Sequence, residues 1–284
     1  MKNLIGMKSW IVWVLCNVVI SMAYPQGTSV FKVPQQGTNE SSIELKKEVK
    51  QIITTFVEDF RNDRHAAKER VIGISVPEIQ GEWTITVSGK KIRDKQWEVT
   101  LKEGLPKIPT YIYRAEIKAL RSILNGEMNA LTAQAKAFYS DYAPLDVIEI
   151  NGYQPTEEED SEINVFSFHF WTKGFPEVVP FRPNATRRAH GAGVTIFYYE
   201  KGLRTGWYNI LPGEKVRDDA REQAMPFPMM GVVIKGEAKG IVDGEPITVS
   251  EGNTVFIPEN VHHKWWNESN EAVELILIMF GEGA

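Results

Sequence analysis

The chain has 284 residues, of which 43% are hydrophobic, 24% charged and 11% aromatic. That length suggests two domains at ~100–200 residues each, and the composition excludes wholesale disorder, a collagen-like repeat and a polytopic membrane protein. Lys plus Arg total 32 against 37 for Asp plus Glu, a net charge of −5 that argues against nucleic acid as a partner, and a single Cys excludes an internal disulfide.

The first predicted element is a targeting segment over residues 1–23. Lys2 and Lys8 give a positive start, Trp10–Ile20 is nearly all apolar, and Ser21-Met22-Ala23 offers small residues for cleavage. The apolar stretch falls short of the ~20 residues that a membrane span needs. Cleavage therefore leaves no stable span. An uncleaved anchor and a buried core helix are the alternatives. Cys16 follows Leu15 rather than a small residue, which does not suit a lipid attachment site. The expected location is exported, periplasmic or secreted, and the processed chain then has no thiol at all, as suits an oxidising compartment.

Residues 24–41 carry turn and polar residues without periodicity and predict a flexible tether. Ser41 and Glu44 have capping-box spacing, and Leu45, Val49, Ile52, Ile53, Phe56 and Phe60 follow at helical spacing. Trp83, Ile85 and Val87, then Trp97, Val99 and Leu101, alternate with polar residues around Ser88-Gly89 and predict two strands. Helices are expected at Ala115–Leu124 and Met128–Tyr139, parted by Asn125-Gly126. Helix, strands, then helices over 42–151 describe an α+β layer with one covered sheet face. His65, in the polar stretch Asn62-Asp63-Arg64-His65, is expected at the surface.

Turn residues at Asn151–Thr156 and the acidic run Glu157–Asp160 predict a linker over 152–162. From 163 to 284 the chain reads as short strands punctuated by Gly and Pro, which suggests an all-β barrel or sandwich. The expected strands include Val165–Trp171, Val194–Tyr199, Trp207–Leu211, Val232–Ile234, Val255–Ile257 and Val273–Phe280, with a tight hairpin at Asp243-Gly244.

Two family resemblances follow. Gly252, Pro258, His263 and Asn267 stand at the spacing of the second conserved motif of the cupin superfamily, with Asn260 in place of its middle Gly. Asn tolerates positive φ, so the turn should persist. The resemblance covers roughly 190–284 and implies a double-stranded β-helix barrel. In cupins the first motif adds two His and a Glu as metal ligands. Here, after Leu211-Pro212-Gly213, no His follows, and the Glu position falls on Met229. His263 alone stands where a cupin ligand should be. His262 points to the opposite face, and a stable site usually needs at least three protein ligands. No cofactor is therefore favoured. A divalent metal would need His263 with His190 or His169, or carboxylates from Asp218, Asp219 and Glu222. Without the metal, His263, Trp265 and Met229 would line a pocket for an apolar or aromatic molecule, or simply fill the barrel.

The N-terminal order of Gly81-Glu-Trp83, Trp97–Leu101, Gly104, Pro109, Tyr111 and the helix to Leu124 resembles the sterol carrier protein 2 (SCP2) fold. That likeness implies an apolar tunnel for a lipid or sterol, lined here by Ile117, Leu120 and Leu124. The same helical stripe equally suits a closed core. No catalytic residues come with this resemblance. Arg182, Arg187 and Arg188 suggest a small anion patch or a solvated loop. Phosphate loops, paired Cys motifs and the Gly-x-Ser-x-Gly elbow are absent from the sequence. The favoured function is an exported, non-catalytic carrier or sensor of an apolar ligand. The alternatives are an enzyme with His263 as base or metal ligand, and an interaction module. Edge-strand pairing of cupins implies a homodimer.

Overall fold

A sheet that alternates buried and exposed residues needs only one face covered, and the first half of the chain follows that rule. The computed structural model describes residues 39–138, 140–148, 157–173 and 176–284, with no side-chain description for 39–40 and 157–160. The targeting segment, nearly all of the tether, Tyr139, residues 149–156 with the start of the linker, and residues 174–175 lie outside that range. Helix α1 (Asn39–Phe60) is followed by β1 (Arg70–Val76), β2 (Gly81–Arg93), β3 (Gln96–Glu103) and β4 (Tyr111–Ala115). Then come α2 (Ile117–Leu124), α3 (Ala130–Gln134), β5 (Leu145–Ile148) and α4 (Glu157–Phe170). The strands order as β3-β2-β1-β4-β5, with β1 and β4 parallel and the other pairs antiparallel. On β2, Trp83, Ile85 and Val87 turn inward while their neighbours face out.

Three expectations change here. Helix α1 already begins at Asn39, so Ser41 lies inside its first turn and is not the cap. The helix expected at Met128–Tyr139 is only the short α3. Most consequentially, the strand expected at Val165–Trp171 is the end of α4, and its side chains join the first core rather than the barrel. The aromatic run satisfies two periods at once. Ile163, Phe166 and Phe170 also share one helical face, and all three are buried. The acidic run taken for a linker occupies the helix N-terminus, where the helix dipole favours negative residues.

Rings fill this core. Phe60, Phe166 and Phe170 lie 5.1–5.5 Å apart by centroid, Trp171 lies 4.8 Å from Phe170, and Tyr113 donates or accepts at Ser167 Oγ over 2.6 Å. Ile117 and Leu120 are buried in the same cluster, and Leu124 packs against it. They seal the core, and none of the three lines a cavity described below.

The second half holds β6 (Arg187–Ala189), β7 (Ala192–Glu200), β8 (Leu203–Ile210), β9 (Lys215–Val216) and β10 (Met229–Lys235). It continues with β11 (Glu237–Val242), β12 (Glu245–Ser250), β13 (Thr254–Ile257), β14 (His263–Trp266) and β15 (Val273–Phe280). A six-stranded sheet, β13-β10-β15-β8-β7-β6, faces a four-stranded one, β12-β11-β14-β9. Asp243 and Gly244 take φ of 52° and 83° at the expected hairpin, and Asn260 has φ 59°, as the motif requires. Among the described residues no helix is long and apolar enough to cross a membrane.

The two cores are stitched together. The β7–β8 register shifts between Ile196 and Tyr198. Around that irregularity Ile196 receives Asn129 Nδ2–H at its carbonyl (2.8 Å) and donates its own N–H to Thr132 Oγ1 (3.0 Å). Helix α3 thus satisfies polar backbone that would otherwise be orphaned under it. Arg187 adds Nη–H bonds to the carbonyls of Ala133 and Tyr142.

Candidate functional site

The barrel interior is built from residues that alternate inward on both sheets. Tyr208, Met229, Gly231 and Leu277 come from one sheet, and Val216, Ala238, His263 and Trp265 from the other. They leave a void of about 50 Å³. That is room for a few waters and falls well short of the ~300 Å³ at which small-molecule sites begin. His263, Trp265 and Met229 therefore do share one cavity wall, as their sequence positions suggest, but the barrel is nearly filled.

His263 is 2% exposed, while His262 faces solvent. Its Nδ1 lies 2.9 Å from the carbonyl of Val261. A carbonyl only accepts, so Nδ1 carries the proton and Nε2 presents a lone pair. Nε2 is buried and without a hydrogen-bond partner among the described residues. Burial holds the imidazole pKa below its usual range, more strongly than the Val261 carbonyl raises it, with the nearby Arg217 cation acting in the same sense as burial.

Arg217 is the residue that the sequence did not single out. It is 5% exposed, follows β9, and adopts φ 57°. A left-handed backbone at a non-Gly residue is costly and marks a position held by its surroundings. Its N–H bonds to the carbonyl of His190, itself at φ 53°, over 3.3 Å. The guanidinium donates through Nη1 to the carbonyl of Glu222 at 2.7 Å, and among the described residues no carboxylate lies within ion-pair distance of it. Gly191 makes this arrangement possible. At φ 84° it lies against the Lys215 carbonyl, where any Cβ would collide. The only sequence signal for Arg217 was its place in the degenerate first motif.

Outside the barrel wall lies a larger crevice of about 320 Å³. It sits between the segment Leu131–Ala137, with Asn164 of α4, and the barrel face carrying Tyr199, Tyr208, Met225, Phe227 and Met279. Tyr208 and Arg217 line both spaces, so these two residues form the barrel wall between them. Arg204 also lines the crevice, stacked over Tyr199 (4.4 Å) and Phe227 (5.1 Å). His190 stands at the same rim, its Nδ1 3.3 Å from Glu222 Oε1, and burial lowers its pKa more than Glu222 raises it.

The three His proposed as metal ligands do not converge. His263 is in the barrel, His190 at its rim, and His169 at the end of α4. Asp219 caps a short turn and pairs with Arg221 instead. Around His263 the donor set is one imidazole beside a guanidinium, which does not fit a cation, so no metal chemistry is assigned to the barrel. The one group of three candidate ligands among the described residues is Asp63, His65 and His169. His65 is half-buried rather than a surface residue, with its ring stacked 3.8 Å from that of His169. Burial and the neighbouring His169 lower its pKa to about 4. Both Asp63 oxygens are engaged, Oδ1 by the His65 N–H (2.7 Å) and Oδ2 by His169 Nδ1 (2.9 Å). The group thereby ties α4 to the turn after α1. Arg187 and Arg188 likewise hold structure, Arg188 through Glu214 and the Gly191 carbonyl, and form no anion patch.

Residues 206–279 match the cupin domain family. The C-terminal part of this chain is a cupin domain. Solved structures similar to it include a cupin 2 conserved barrel domain protein from Salinispora arenicola, 15% identical over 37% of this chain and 88% of that one, TM-score 0.33. An RmlC-like cupin from Shewanella frigidimarina is 18% identical over 35% and 82%, TM-score 0.29. A conserved protein of unknown function from Streptococcus pyogenes is 20% identical over 32% and 75%, TM-score 0.28. No curated protein matches the chain. The preceding α+β layer is a five-stranded sheet with helices, and none of these findings connects it to the SCP2 fold.

Proposed function

We propose that the cupin domain binds a small organic molecule with a mainly apolar or aromatic body, without transforming it, as a carrier or sensor. The observation that carries this reading is the crevice of about 320 Å³ beside a barrel that is almost full. Small-molecule sites span ~300–1,000 Å³, so this volume suits a compact ligand. Tyr199, Tyr208, Phe227 and the adaptable Met225 and Met279 supply the apolar wall. Export belongs to the same proposal and rests on the residue pattern of 1–23. N-terminal sequencing of protein from the native host tests it.

Extraction and mass spectrometry of protein purified under native conditions should release a small organic molecule. Met225→Trp, which fills the crevice, should abolish its retention. Retention unchanged by Met225→Trp, or release of a long-chain lipid, would overturn the reading. A second reading has one observation in its favour: His263 lines the barrel void, and its buried Nε2, without a hydrogen-bond partner among the described residues, could take a proton from a bound molecule. Turnover of the extracted molecule, lost in His263→Gln, would support it. Light scattering that gives a dimer with an empty crevice would instead support the interaction-module alternative.

A further inference from the structure

We infer that the ligand of the crevice is an organic anion, a carboxylate or a group of similar charge, held by Arg204 and Arg217; this rests on the small-molecule reading above. The crevice wall contains Lys136, Arg204, Arg217 and His190, and not one Asp or Glu is among its described lining residues. Lys136 is neutralised by Asp146 at 2.9 Å. Neither arginine has a carboxylate within 4 Å among the described residues. The carboxylate of Glu222 lies 3.3 Å from His190 Nδ1, and Glu222 is not among the described residues of the wall.

A buried guanidinium normally brings its counter-ion with it, because a charge removed from water must be paired or hydrogen-bonded. Among the described residues the Arg217 guanidinium makes one hydrogen bond, to the Glu222 carbonyl, with five N–H donors available. Arg204 is fixed by ring faces and one bond from Nη2 to the Gly283 carbonyl at 3.3 Å, and its buried Nε has no hydrogen-bond partner among the described residues. Two planar forks are thus held rigidly in a half-dry crevice with donors to spare. A carboxylate matches such forks through paired N–H···O bonds, and the rings of Tyr199 and Phe227 would cover its apolar body.

Calorimetric titration of the full chain with benzoate, its neutral isostere benzamide and the cation benzylammonium separates the possibilities. Benzoate should bind at least tenfold more tightly than benzamide, and benzylammonium should not bind. Arg217→Met and, independently, Arg204→Met should each weaken benzoate about tenfold while leaving benzamide unchanged. Arg204 is the safer variant because it is not fully buried. Equal affinity for benzoate and benzamide would overturn the anion assignment and leave the small-molecule reading intact. Benzoate binding that neither arginine variant weakens would also overturn it. Binding by none of the three would count against both.

Discussion

The α+β layer and the cupin barrel close their interiors in different ways. In the first, Phe56, Phe60, Phe166, Phe170, Trp171, Trp83 and Tyr113 interlock, and each is completely or almost completely buried. In the second, Val, Ala, Met and Ile line the strands, a buried cation stands at one end, and the wall there is thin enough to adjoin a crevice. Rings with defined partners leave nothing for a guest to replace. A crevice walled by rings and methionines, with two guanidinium groups that have no carboxylate within ion-pair distance among the described residues, leaves space for one. The region that resembled a lipid carrier in sequence is thus the closed one, and the room lies where it meets the barrel wall.

The largest expected effect comes from the join that shapes the barrel end. Gly191→Ala should destabilise the protein by about 4 kcal/mol or more in urea unfolding, because a positive φ and a backbone collision coincide there. It should lose ligand binding as well. A milder loss would mean that the β9 end does not depend on the close approach of Gly191 to Lys215.

Phe166→Ala comes next. Removing a fully buried ring should cost about 3–5 kcal/mol, read as a lower urea midpoint, yet leave benzoate affinity within about twofold while the protein remains folded. Loss of affinity in the folded variant would show that the two interiors are not independent and would break the comparison.

The smallest effect is on pH dependence. His190 and His263 both have pKa values lowered in the folded protein, chiefly by burial. The unfolded chain therefore takes up those protons first as pH falls below its ordinary His value of ~6.5. Their contribution is complete above that pH and is lost as pH drops through the folded values. Thermal midpoints should fall by a few degrees between pH 7 and pH 5.5, less steeply in His263→Gln. His65, lowered to about 4, imposes the same sign from the α+β side. Comparing His263→Gln with His65→Gln apportions the slope between the two regions.

Much of the fold was legible because its signals are local. Alternation on β2 and β3, the Asp243-Gly244 hairpin and the spacing from Gly252 to Asn267 all depend on near neighbours. The run Val165–Trp171, expected as a strand, ends a helix, because its aromatic residues fit a two-residue and a helical period equally well and packing on Phe60 decides between them. The inward set Met229, His263 and Trp265 followed from strand alternation. Arg217 and Arg204 did not, since nothing in a sequence shows which cations the fold places in a crevice wall. The stack of His65 on His169 was hidden for the same reason, as it joins segments far apart in the chain.

Selective 13C-methyl labelling of methionine places a reporter in each region. Met225 and Met279 line the crevice, and Met128 packs against the α+β core. Titration with benzoate should shift the Met225 and Met279 methyl signals along a saturable curve and leave Met128 unmoved. A shift at Met128 with the crevice signals unchanged would contradict a ligand site at the barrel wall.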